Sequence, residues 1–120
     1  KVNYTKPVLV LVNQLAFSGG DFFPAILQDN KIAKVFGQRT AGAGGYVLGV
    51  SYPSAMGLAG FSFTGSLARR IDNKPIENLG VTPDIPYELT ENDLRSGFRE
   101  YKAAINKSVD ELIAEGFRKK

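Results

Sequence analysis

Cysteine and histidine are both absent from the 120 residues. Without thiols the chain can build no disulfide, no thiolate metal site and no cysteine nucleophile. That absence leaves the compartment open, because a cysteine-free chain tolerates any redox setting. Without imidazole it lacks the commonest metal ligand and the side chain best matched to acid–base work near neutral pH. Histidine-dependent chemistry would have to borrow its ring from elsewhere. No apolar run approaches the roughly 18 residues of a membrane span. The opening Lys1-Val2-Asn3-Tyr4-Thr5-Lys6 leads into a short apolar stretch with no small-residue cleavage pattern, so it does not read as a signal peptide. With no starting Met, the chain reads as cut from a longer one.

Charge excludes further classes. Fifteen Lys and Arg stand against twelve Asp and Glu, a net +3, and much of the excess sits at Lys1, Lys6, Arg118, Lys119 and Lys120. The basic stripe interleaved with aromatics that marks nucleic-acid binders is missing, so no nucleic-acid partner is expected. Asp21, Asp29, Asp72 and Asp84 lack the spacing of a calcium loop, and neither a metal nor a cofactor is expected.

What is present suits a small globular unit. The hydrophobic share is 43% and the charged share 22%, ordinary for a domain or a piece of one. Val8-Leu9-Val10-Leu11-Val12, bounded by Pro7, reads as a strand buried on both faces at the centre of a covered sheet. A turn, Leu15 to Asp21, leads into a helix whose contacts are Phe22, Phe23, Ala25, Ile26 and Leu27. Pro24 places its start just before Asp21, and Asp29-Asn30-Lys31 ends it. Ala33 to Phe36, closed by Gly37, completes a β-α-β unit. Thr40-Ala41-Gly42-Ala43-Gly44-Gly45 is a glycine-rich loop; Tyr46 to Tyr52 and Phe61 to Leu67 are strand-like; Arg70 to Ile76 turns around Asn73. Two helix-start boxes are predicted in the tail, Thr90 with Asp93 and Ser108 with Glu111. Tyr101, Ala104, Ile105, Ser108 and Leu112 share one face. The division expected is an α/β unit over 1–89 and a helical tail over 90–120 packing on it.

Three places could carry chemistry. Ser18 follows a strand, adjoins Gly19 and Gly20 and precedes a helix. Such a turn can present a hydroxyl for attack while the helix N-terminus favours developing negative charge and the Gly19 N–H donates to an oxyanion. Spacing alone favours a helix cap instead, with Asp21 reaching back to Ser18. Glu77 lies in a Gly/Pro-punctuated loop, where a carboxylate is ordinarily just solvated; its functional alternative is to orient a histidine. The loop Gly42 to Gly45 is no phosphate loop, since it lacks the Lys-Ser/Thr ending and a following helix. It is either a flexible connection or a backbone lining for an extended peptide, through Gly42, Gly44 and Gly45.

Together, Phe17-Ser18-Gly19-Gly20-Asp21-Phe22-Phe23-Pro24, Phe36-Gly37-Gln38-Arg39-Thr40-Ala41-Gly42 and Ile76-Glu77-Asn78-Leu79-Gly80-Val81-Thr82-Pro83-Asp84-Ile85, after the strand Val8 to Asn13, resemble the tail-specific (carboxy-terminal-processing) serine protease family. The stretch is Pro7 to Pro86, in the C-terminal half of its catalytic domain. The resemblance implies a crotonase-like fold, a spiral of stacked β-β-α units, and hydrolysis of peptide bonds in peptides or unfolded proteins. It carries the nucleophile onto Ser18 and one oxyanion-hole N–H onto Gly19. One branch of the family activates its serine with a lysine 25 residues on. That position is Ala43, which carries no base. The other branch uses Ser, His and Glu; its glutamate falls on Glu77, 59 residues after Ser18, and its histidine lies far upstream. The expected partner is therefore an upstream part of the same protein that brings the histidine, and the 120-residue piece alone is expected to be nearly inactive. Open apolar surface made for that missing part would favour association, a homo-oligomer among the outcomes. The family also implies export to a periplasmic or extracellular site. Two competing readings are a non-catalytic peptide-binding or assembly module on the same scaffold, and an acyl-CoA enzyme, which the Phe-Phe-Pro after the serine turn fits less well.

Overall fold

The computed structural model describes residues 4–51, 55–57 and 59–116. Lys1, Val2, Asn3, Tyr52, Arg118, Lys119 and Lys120, which the sequence reading used, lie outside the described residues.

The β-α-β unit forms from the apolar runs that predict it. Strand β1 (Leu9–Val12) pairs in parallel with β2 (Lys34–Gly37), Val10 opposite Val35 and Val12 opposite Gly37. Helix α1 (Gly19–Asp29) connects them and packs on both. A two-residue strand, β5 (Ile85–Pro86), pairs with the far side of β2, giving the order β1-β2-β5. One expectation changes here. Among the described residues the central strand is β2, with Val35 and Phe36 buried, whereas β1 pairs on one side with β2 and Leu11 is 47% exposed. A continuous apolar run marks covered faces but does not reveal how many neighbours a strand has. The core is Ala25, Val35, Ile76 and Val81, with Val12, Phe22 and Ala68 against it. Gly37 permits the close approach of β1 and β2: its φ is +123°, and a Cβ there would lie 2.1 Å from the Val12 carbonyl oxygen.

Helix α1 begins at Gly19 rather than just before Asp21, so Pro24 lies inside it, beyond the first turn. Its missing N–H leaves the Gly20 carbonyl without the usual donor. The helix stops at Asn30, as the sequence suggests.

The glycine-rich segment leads into an antiparallel hairpin, β3 (Gly45–Ser51) and β4 (Gly60–Leu67), which is a sheet of its own. Beyond Gly45 every residue of both strands is exposed, Tyr46, Val47, Phe61 and Phe63 included. The turn at Asn73 forms as predicted, with φ +67° and an Asn73 N–H donated to the Arg70 carbonyl at 2.8 Å.

The tail comprises α2 (Glu91–Arg95) and α3 (Arg99–Ala114). The Thr90–Asp93 capping box is present in full. The second predicted box is not a helix start. Ser108 and Glu111 lie within α3, where the Ser108 hydroxyl donates to the Ala104 carbonyl at 2.9 Å. No Gly or Pro interrupts residues 99–114, so one helix runs through. Phe36 stacks on Tyr87 at 5.6 Å and meets Tyr101 edge-on at 5.9 Å, which joins the tail to the central strand. Among the described residues no helix is long and apolar enough to cross a membrane.

Asp93 organises that junction. Its carboxylate accepts from the Thr90 N–H at 3.0 Å, the Tyr101 N–H at 2.8 Å and the Tyr87 hydroxyl at 2.9 Å. The Thr90 N–H, then the Tyr101 N–H and the two hydroxyls, hold its carboxyl below the ordinary value against the opposing effect of burial. Burial first, and then the bond to Asp93, push the Tyr87 hydroxyl up. A lowered folded-state pKa means stabilisation that is complete above the unfolded-state value, near 3.9, and lost as pH falls through the folded one. In the intact protein, thermal melts from pH 6 to pH 2 should show this acid loss, while Asp93→Asn should start less stable at pH 6 and vary less across the window.

Candidate active site

Ser18 sits where β1 gives way to α1, at φ +53° and ψ −115°. Such backbone costs a non-glycine residue about 1–3 kcal/mol and persists only where surrounding structure imposes it. The serine is the residue before the first helical turn, yet its side chain makes no capping hydrogen bond. The capping reading of Ser18 and Asp21 therefore falls: capping serines use extended backbone, and Asp21 bonds elsewhere. The Ser18 side chain is exposed. Gly19, the first helical residue, has an N–H with no intrahelical acceptor, and a Cβ built there would meet nothing within 4 Å.

Asp21 turns inward and is fully buried. It accepts from the Thr40 hydroxyl at 2.5 Å, the Gly42 N–H at 2.9 Å and the Ala43 N–H at 2.9 Å. The glycine-rich segment is thus a strap held against the first turn of α1. On its other side it meets the segment that carries Glu77. The Thr40 hydroxyl accepts from the Val81 N–H at 2.7 Å, and the Gly42 carbonyl from the Asn78 N–H at 2.7 Å. Arg39 donates to the Asn78 and Leu79 carbonyls at 3.3 and 3.0 Å. Gly42 and Gly44 are buried: a Cβ on Gly42 would come within 2.8 Å of the Gly80 nitrogen, and one on Gly44 within 2.4 Å of the Ile76 Cβ.

Gly45 is where the two halves of the site meet. It lines a cleft of about 410 Å³ together with Ser18, Phe22, Val47, Leu67 and Ala68. A Cβ on the same glycine would stand 3.4 Å from Glu77 Oε2. That oxygen is buried and has no hydrogen-bond partner. Gly45 thus lines the same cleft as Ser18 and lies beside Glu77, which stands 59 residues after that serine in the chain. Of the three glycines considered from the sequence, Gly45 faces the cleft, and Gly42 and Gly44 pack behind it. Sequence reasoning gave Arg39 and Thr40 no role beyond their place in the stretch from Phe36 to Gly42, and took Asp21 only as a cap partner. Among the described residues no cluster of three or more acidic side chains could hold a metal ion.

The sequence and the fold match a known class. Residues 1–87 match peptidase family S41, and the chain belongs to that family of tail-specific proteases. It is 51% identical over 114 residues to an uncharacterised protein of Chlamydia muridarum and 46% identical over 120 residues to a protein of Chlamydia pneumoniae. These alignments cover 94% and 99% of the chain, and it spans 19% of the length of each of these curated relatives. Among solved structures it superposes on mature CPAF complexed with lactacystin with a TM-score of 0.92 at 46% identity, over 96% of this chain and 22% of that one. The photosystem II D1 C-terminal processing protease follows at a TM-score of 0.55 and 27% identity, over 68% of this chain and 20% of that one. Tricorn protease, at 24% identity and a TM-score of 0.71 over 88% of this chain and 10% of that one, shares the fold.

The strain at Ser18 has a measurable consequence. Ser18→Gly relieves the positive φ and Ser18→Ala does not, so in the intact protein the glycine variant should be the more stable by about 1 kcal/mol in urea unfolding.

Proposed function

We propose that this chain supplies the nucleophile and the orienting carboxylate of a serine endopeptidase, whose histidine comes from an upstream part of the same protein. The observation that carries the reading is the buried, unpartnered Glu77 Oε2 next to Gly45, which lines the Ser18 cleft. An unsatisfied buried acceptor costs about 1–3 kcal/mol. An imidazole N–H entering the cleft would recover that cost, and this chain has no histidine of its own.

In this mechanism Ser18 Oγ attacks the scissile carbonyl as the visiting imidazole takes its proton. The Gly19 N–H donates to the tetrahedral oxyanion. Glu77 accepts from the other ring nitrogen and stabilises the imidazolium. The ring returns the proton to the leaving amine, and water, activated in the same way, releases the acyl group from Ser18. The Gly45 backbone rests an extended peptide, and Gly42 and Gly44 give the strap its shape. Lysine activation is disfavoured because Ala43 stands at the decisive position. A crotonase-like spiral, completed by the rest of the protein, supplies the frame, with residues 1–89 in its catalytic part and 90–120 as the tail.

A fluorophosphonate probe tests the reading. The intact protein should be labelled at Ser18, and the 120-residue piece should be labelled weakly or not at all. Glu77→Gln should lower kcat on the order of 10³–10⁴-fold. Strong labelling of the piece alone would remove the upstream histidine from the mechanism, and a wild-type rate in Glu77→Gln would remove Glu77.

A further inference from the structure

The mechanism leaves one buried ionisable group without a task. Asp21 is fully buried, and among the described residues no Lys or Arg pairs with it. A buried carboxylate without a cation is costly unless hydrogen bonds compensate. Three donors and no acceptor face it: the Thr40 hydroxyl at 2.5 Å and the Gly42 and Ala43 amides at 2.9 Å each. It does not cap its helix and it does not line the Ser18 cleft.

What it does hold is the strap between the two halves of the site. Residues 40–43 bond on one side to the serine turn, through Asp21 and through the Ala41 N–H, which donates to the Ala16 carbonyl at 2.8 Å. On the other side they bond to the segment that follows Glu77, at Asn78 and Val81. Thr40 Oγ1 stands in both sets at once, donating to Asp21 and accepting from Val81. Backbone geometry on either side is unusual, with Ser18 at φ +53° and Asn78 at φ +63°, so each flank needs an external restraint.

We propose that Asp21 is a positioning residue, which touches no substrate and fixes the Ser18–Glu77 geometry through the Thr40 hydroxyl and the strap amides. The inference rests on the peptidase reading above. A carboxylate accepts at every position, whereas the side-chain amide of an Asp21→Asn variant must present one NH₂ group. With the variant's amide oxygen facing Thr40 and Gly42, that NH₂ would oppose the Ala43 N–H, donor against donor. The strap would shift, and a displacement of about 1 Å in a catalytic array can cost about 100-fold in rate.

The experiment uses the intact protein and three variants, Asp21→Asn, Thr40→Val and Thr40→Ser, assayed with a chromogenic peptide after circular dichroism has verified folding. Asp21→Asn and Thr40→Val should lose about 100-fold in kcat with KM within about twofold of wild type, and their Ser18 should react with fluorophosphonate correspondingly slowly. Thr40→Ser, which keeps the hydroxyl, should stay within about threefold of wild type. Should Asp21→Asn not fold, the two Thr40 variants decide. A wild-type kcat in folded Thr40→Val or Asp21→Asn, or a loss in Thr40→Ser as deep as in Thr40→Val, overturns the proposal. A wild-type protein whose Ser18 resists the probe overturns the peptidase reading and this one with it; a labelled wild type beside unimpaired variants overturns this one alone.

Discussion

Two amide hydrogens and one hydroxyl from residues 40–43 converge on the Asp21 carboxylate, buried beneath the first turn of α1. Each alone is an ordinary hydrogen bond. Together they dictate where the strap runs, because a carboxylate buried without a cation is tolerable only when its donors are all in place. The strap then dictates the rest. Its far side receives the Asn78 and Val81 amides, which hold the segment carrying Glu77 against it.

Around that anchor the site accumulates features that would be defects elsewhere. Ser18 holds a conformation suited to glycine, and Glu77 keeps a buried oxygen without a donor. Local rules are broken in this way at functional sites, and the surrounding structure compensates for the cost. Here the compensation comes from close packing. Gly42, Gly44 and Gly80 let the strap and the 76–81 segment touch backbone to backbone: any side chain at Gly80 would strike the Thr40 carbonyl oxygen at 2.4 Å. The core residues Ile76 and Val81, on either side of Glu77, tie that segment to α1 and β2. The same residues that bury apolar surface thus fix the height of the carboxylate.

The remainder of the molecule divides into a covered part and an open part. The junction with the tail is covered, since Phe36, Tyr87 and Tyr101 form a continuous aromatic contact and Asp93 satisfies the amides and hydroxyls at its edge. The hairpin β3–β4 is open, with aromatic and branched side chains exposed along both strands. The chain spans about a fifth of its relatives' length, 19% in the Chlamydia muridarum protein, and a two-stranded sheet has no second layer of its own to bury such residues.

Local pattern determined much of this. Leu9 to Val12 and Lys34 to Gly37 are strands because branched apolar residues suit pleated, covered backbone, and residues 19–29 are helical between them. Thr90 with Asp93 caps α2, and Asn73 turns the chain, because each acts on backbone only a few residues away. The motif order pointed to the protease family through resemblance, and the absence of histidine from these 120 residues was visible from composition. Where partners are distant, pattern was silent or misleading. It took β1 for a central strand, since an apolar run does not count its neighbours, and Ser108 for a cap, since a capping box and a mid-helix serine share the same letters. It read Asp21 as reaching three residues back, when its partners lie 19 to 22 residues ahead. Only tertiary structure decided that Gly45 lines the Ser18 cleft and lies beside Glu77, because that placement depends on a strap whose hydrogen bonds join segments some 20 to 40 residues apart, and no local propensity encodes such a distance.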